Sequence, residues 1–242
     1  GVSLTPAGRR LLPHARRILK SVKTARRAAR GEESNTITIG FVSSASVLVP
    51  SISQQIRARI PEIDLRLIEA GSARQSDMLR VRELDIALLR GPWTNPEYAS
   101  EEVSRDNLAL IVPKDYPRAG DPDLKLADLA SEPFVFFPRE LGPSFFDTAI
   151  SACYSAGFSP TINQVAGSTL TMIALVASGQ GFSLVPANLA NMAKGVTVLN
   201  PSDLNSTTLL LAAYPKARKL SEPTASIIEI LKQFGDDPTA HC

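Results

Sequence analysis

Serines at 43, 44 and 72 and an arginine at 90 each stand just beyond, or at the end of, an apolar run that reads as a strand. Ser168 and Thr169 open a helical pattern. In strand–helix units such positions gather at one edge of the sheet. Hydroxyls there, together with the free N–H groups of helix starts, can hydrogen-bond a carboxylate. A guanidinium at 90 can grip the same anion through two parallel bonds. Plainer uses exist for all of them. Ser43, Ser44, Ser72, Ser168 and Thr169 can cap the helices behind them, and Arg90 can pair with an acid at a rim. Pro138 and Phe145 are candidates for apolar walls against a planar ligand. Phe136 alternates into a core.

The residues for turnover are not arranged in this way. The two histidines, His14 and His241, fall in an N-terminal helix and in the tail, so a Ser-His-Asp or Cys-His arrangement in the cleft has no base. No metal-ligand spacing is present, and no cofactor is implied. Gly179-Gln180-Gly181 follows a helix and precedes a strand, the reverse of a dinucleotide fingerprint. Cys153 has no basic neighbour in its helix and reads as a buried structural thiol. An enzyme is therefore not expected.

The elements that must position these side chains follow from period and punctuation. Strands are expected at 37–42, 63–69, 85–89 and 107–112, with helices at 47–59 and 74–82 between them. The theme repeats with strands at 134–137, 161–165, 182–185 and 196–199 and helices at 144–156 and 168–177. A strand at 208–214 and a helix at 223–234 return to the first set. Strands alternating with helices of this length mean βαβ units, a mostly parallel sheet and an α/β fold. Two Rossmann-like lobes result, 37–113 with 208–242 and 114–207, with a ligand cleft between them at the carboxyl ends of strands.

Residues 1–31 are a different object. They hold nine Lys or Arg and no acid, whereas the remainder holds 17 basic and 24 acidic residues. Affinity for a polyanion belongs to that segment alone. Thr5-Pro6 is a helix start, with Thr5 as cap and Pro6 at the first helical position. Leu11, Ala15, Ile18, Val22, Ala25 and Ala29 step by four and three, the seam by which two helices wind together. The helix should end at Gly31, and 32–36 read as a polar hinge. The chain lacks an initiator Met, and Gly1-Val2-Ser3-Leu4 reads as the end of an earlier element. No run approaches a membrane span, and the two cysteines suit a reducing cytoplasm.

Val2-x-Leu4-Thr5-Pro6-Ala7-Gly8 before a basic helix resembles the end of the winged helix-turn-helix of LysR-type transcriptional regulators. Ile39-Gly40-Phe41, Pro61-Glu62-Ile63, Glu69-x-Gly71, Leu84-Asp85-Ile86-Ala87 and Gly179-x-Gly181-Phe182-x-Leu184-Val185-Pro186 are similar to that family's effector domain, in order, across nearly the whole chain. The resemblance implies a type II periplasmic-binding-protein-like fold preceded by a long linker helix. It also implies a sensor of a small effector, a homo-dimer or homo-tetramer, and DNA as partner of the full-length protein. The Ser43-Ser44 pair looks closest to the branch that responds to aromatic-degradation metabolites, so an aromatic or dicarboxylic acid is the suspected effector. A solute-binding protein of a transport system shares the fold and is the alternative. It predicts a monomer without a paired helix.

Overall fold

The structure, a computed structural model, describes residues 3–8, 11, 12, 14, 15, 18, 19, 22, 36–216 and 220–236. The first lobe is built on β1 (Thr36–Phe41), β2 (Asp64–Glu69) and β3 (Ile86–Gly91). β1 pairs in parallel with both others. The links between them are α1 (Val49–Arg59) and α2 (Ser72–Arg80). α1 ends at Ile60, just before Pro61, where proline disfavours further helix in the residue ahead of it.

β4 (Tyr98–Pro113) is one strand of 16 residues. The sequence reading caught only its second half. Its first half carries Glu101, Glu102, Arg105 and Asp106 with Val103 alone among them, and so lacks an apolar run. That half pairs antiparallel with β9 (Thr207–Pro215) as far as Asn107. From Leu108 the same strand pairs with β7 (Ser183–Pro186) and β8 (Val196–Leu199). Leu108 to Val112 accordingly pack in the second core, so the chain changes lobe at 107–108, ahead of the expected 113. The return crossing is at the start of β9. The two crossings are antiparallel neighbours, which makes the sheet mixed rather than mostly parallel.

The second lobe contains β5 (Phe134–Phe136) and β6 (Ile162–Val165), paired in parallel. Its helices are α3 (Pro143–Ser155), α4 (Thr169–Ala177) and the short α5 (Ala187–Ala190). Its core stacks Phe134, Phe136 and Phe182 against Leu108–Val112 and α4. The first lobe's main core lies under α1 and α6 (Glu222–Asp236), and a smaller cluster lies under α2 on the other face.

At the N-terminus, residues 6–8, 11, 12, 14, 15, 18, 19 and 22 are helical. The Gly8 N–H donates to Thr5 Oγ1 at 3.1 Å, so Thr5 caps as its position predicts. Leu11, Ile18 and Val22 of the seam are 65%, 61% and 49% exposed, and Ala15 is half-buried. Ala25 and Ala29 lie outside the described residues. Among the described residues no helix is long and apolar enough to cross a membrane.

Candidate functional site

The carboxyl ends of β1, β2 and β3 deliver Ser43-Ser44, Ser72 and Arg90 to one place. Ser43 and Ser44 lie in a 3-10 turn (Ser43–Ala45) directly after β1. Ser72 begins α2, and Arg90 is the penultimate residue of β3. The Arg90 Nε donates to Ser44 Oγ at 2.9 Å and its Nη2 donates to the Ser44 carbonyl at 3.0 Å. Its backbone N–H donates to Ser72 Oγ at 3.3 Å. Ser44 and Ser72 therefore hold Arg90 in place from two sides.

Arg90 is 2% exposed, which sets aside a rim position. No carboxylate lies within ion-pair reach of it among the described residues. Asp106 acts on it through space, in the stabilising direction. Burial outweighs that attraction and lowers the guanidinium from 12.5 to about 10, so it stays charged at neutral pH without a counter-charge in contact. Its Nη1 has no hydrogen-bond partner. A desolvated cation with an unused donor has strong demand for an anion. The Phe145 ring lies 5.9 Å from the guanidinium carbon, a cation–π approach from α3 of the other lobe.

The lobes meet directly. Ser43 Oγ accepts from the Thr169 N–H at 2.9 Å and donates to Thr169 Oγ1 at 3.2 Å. Ser144 Oγ donates to the Pro92 carbonyl across the same seam. The Asn188 N–H donates to Asp106 Oδ2 at 2.9 Å. Ser44, Ser72, Arg90, Phe145 and Thr169 are all buried, so the expected cleft is shut over its polar residues. Two surface cavities, of about 590 and 680 Å³, are lined by none of these five residues, and the second opens beside the Ser144–Pro92 contact.

Six of the eight predicted site residues converge: Ser43, Ser44, Ser72, Arg90, Phe145 and Thr169. Phe145 is a core residue stacked on Phe136 and Phe137 as well as a wall behind Arg90. Pro138 is half-buried and opens a 3-10 turn (Arg139–Leu141), its carbonyl accepting from the Leu141 N–H. Ser168 keeps the plainer role, because its Oγ accepts from the Thr171 N–H at 3.2 Å and caps α4. Ser168→Ala should cost about 1 kcal/mol of stability in a urea titration and Ser168→Gly a few tenths, with ligand affinity unchanged in both.

Three polar groups at the lobe crossing, buried Thr208 and half-buried Asp106 and Asn188, carry no mark in the sequence. Asp106 and Thr208 face each other across β4 and β9 at the lobe crossing. Asn188, on α5, binds Asp106. Thr208 Oγ1 and Asn188 Oδ1 have no hydrogen-bond partner. Nothing local marks these residues: their meeting depends on the long antiparallel pairing, which periodicity does not reveal. Gln75 also goes unmarked, because a glutamine among the polar residues of α2 carries no local sign of burial. It is fully buried, and its Nε2 ties the Ala70 and Leu88 carbonyls together behind the site.

Comparison with known proteins fits this geometry. Residues 30–236 match the family model described as the LysR substrate binding domain. The chain is 34% identical over 214 residues to the HTH-type transcriptional regulator ShiR of Corynebacterium glutamicum, covering 86% of this chain and 72% of that one. It is 32% identical over 192 residues to the regulator AlsR of Bacillus subtilis, covering 77% of this chain and 63% of AlsR. The crystal structure of CbnR, a LysR family transcriptional regulator, superposes with a TM-score of 0.78 at 24% identity, covering 97% of this chain and 83% of that one. These matches favour the regulator over the transport protein that shares its fold. The chain belongs to the LysR-type transcriptional regulators and carries their substrate-binding domain.

Proposed function

We propose that this chain is the sensing part of its regulator and that the effector is a small carboxylate, aromatic or dicarboxylic, held between the lobes. The observation that carries this reading is Arg90: buried, charged, and with Nη1 unpartnered. Arg90 Nη1 supplies the charge. Ser43 Oγ and the Thr169 N–H supply neutral bonds from opposite lobes by exchanging their bond to each other for bonds to the ligand. Phe145 supplies the apolar face. No catalytic step is involved.

The exposed side chains of Leu11, Ile18 and Val22 support pairing with a second copy along the seam read from the sequence, Leu11, Ala15, Ile18, Val22, Ala25 and Ala29. Paired helices of this kind pass a change in lobe angle to the DNA-binding part of a longer protein, in the cytoplasm. An effector shifts that angle only by as much as it favours one arrangement over the other.

A thermal-shift screen tests the ligand class. Carboxylic acids of the aromatic and dicarboxylic types are compared with their neutral amides at matched concentrations. An acid at 100 times its Kd should add about 2.7 kcal/mol, raising Tm by roughly 5–10 °C for a chain of this size. The amides should add nothing. Equal shifts from acid and amide, or no shift from any acid, would overturn the assignment.

A further inference from the structure

We propose that Gly71 sets how far the two lobes can close, because any side chain there would strike the backbone of the opposite lobe. Gly71 immediately precedes α2 in the first lobe. A Cβ built on it would sit 2.5 Å from the Leu141 carbonyl oxygen and 3.3 Å from the carbonyl carbon. Leu141 ends the 3-10 turn of the second lobe, so the obstacle is main chain and cannot rotate aside. Ordinary contact begins near 3.4 Å, so the two backbones must part by roughly an ångström to admit even a methyl group.

The residue's own conformation gives no reason for glycine. Its φ of −62° and ψ of 154° are extended backbone open to any residue. Alanine therefore fits the first lobe without strain, and the conflict is confined to the closed arrangement. Closure is also what joins Ser43 to Thr169 and Ser144 to Pro92. A methyl at 71 sets the same separation against all of these bonds, and Gly71→Val sets a larger one.

The Thr169 amide reports closure with a single atom. It lies in the first turn of α4, where an N–H has no acceptor within its own helix, and its acceptor is Ser43 Oγ across the seam. Native-state hydrogen exchange, read by NMR without any ligand, should show Thr169 protection falling about tenfold or more in Gly71→Ala and further in Gly71→Val. Protection at Ile39, in the first-lobe core, should be unchanged. Gly120→Ala, where an added Cβ meets nothing within 4 Å, should leave Thr169 as it was.

Unchanged Thr169 protection in Gly71→Ala would overturn the proposal. So would loss of Ile39 protection together with Thr169, since the clash would then be absorbed by unfolding a lobe rather than by opening the seam. The consequence for sensing rests on the anion site proposed above: if the effector needs the closed form, its apparent affinity falls with the closed fraction. The exchange readout uses no effector, so an unsuccessful acid screen and an unsuccessful exchange experiment are separate results.

Discussion

Arg90→Met should abolish the response to carboxylate effectors while leaving the ligand-free protein at least as stable as before. The two halves of this expectation have one cause. Without an effector the guanidinium is buried with its Nη1 unused and no acid in contact among the described residues. Its fall from 12.5 to about 10 corresponds to roughly 3 kcal/mol against the charged form. Replacing buried ion pairs with apolar side chains of similar size is commonly neutral or stabilising by about 1–4 kcal/mol, and here the charge has no ion-pair partner among the described residues to leave stranded. Methionine loses the bonds to Ser44 Oγ and to the Ser44 carbonyl, which offsets part of that gain. With the effector bound, the balance reverses. The cation then has its anion, and removing it leaves a desolvated carboxylate unpaired, at a cost of about 2–5 kcal/mol. Calorimetry should show affinity falling by a factor of roughly 30 to several thousand. Melting of the unliganded variant should show no drop in Tm. Retained affinity would mean the anion is held elsewhere, whereas a large drop in unliganded stability would mean Arg90 is chiefly a structural tie between β3 and the Ser44 turn.

The legible part of this site and the illegible part divide along a physical line. The meeting of Ser43, Ser44, Ser72 and Arg90 is legible because parallel βαβ units put the residue after each strand at a common edge, and that rule needs only local patterns. Thr169 followed because a helix start is also local. Asp106, Thr208 and Asn188 were missed because their meeting depends on a strand that changes partners halfway along, at Asn107–Leu108. The polar first half of β4 carries no apolar run, so the crossing could not be located from the sequence, and the lobe boundary was set too late. Gly71 shows a second kind of blindness. The sequence marks it as a turn glycine, but its φ is ordinary, and the reason for glycine lies in a carbonyl seventy positions along the chain. Ser168 shows the reverse case. Its position suggests both ligand and cap, and only the 3.2 Å bond from the Thr171 N–H assigns it to the cap.

In the proposed site, lobe closure and ligand binding draw on the same few atoms. The Ser43 hydroxyl already holds the Thr169 N–H. An effector must replace that bond with one at least as good to each lobe, or it will open the seam rather than reinforce it. A charged carboxylate can do so, since charge-assisted hydrogen bonds are about twice as strong as neutral ones. A neutral analogue of the same shape exchanges like for like and gains little. The preference for acids over amides should thus appear both in affinity and in Thr169 protection.

Phe136→Ala should give the largest loss of stability of any single substitution considered, and it should weaken effector binding as well. Phe136 is fully buried at the end of β5. Its ring lies 5.0 Å from Phe134, 4.6 Å from Phe137, 5.9 Å from Phe145 and 5.7 Å from Phe146, centroid to centroid. Truncation removes the transfer energy of a large side chain and leaves a cavity that four rings cannot fill without leaving their rotamers, a cost of about 3–5 kcal/mol. For a chain of this length that is a fall in Tm of roughly 6–20 °C. Phe136→Leu fills most of the volume and should recover more than half of the loss. The effect on binding is a separate matter of position. Phe145 reaches Arg90 from a helix whose inner face rests on Phe136, so loosening that face blurs the wall of the proposed anion site. Phe234→Ala is the matched comparison. Phe234 is equally buried, but in the first-lobe core rather than the second. It should cost a similar amount in urea unfolding yet leave effector affinity unchanged at temperatures where both variants stay folded. If both variants lose affinity equally, the loss comes from lowered global stability. If Phe136→Ala alone loses it, the second-lobe aromatic stack is what holds Phe145 against the guanidinium.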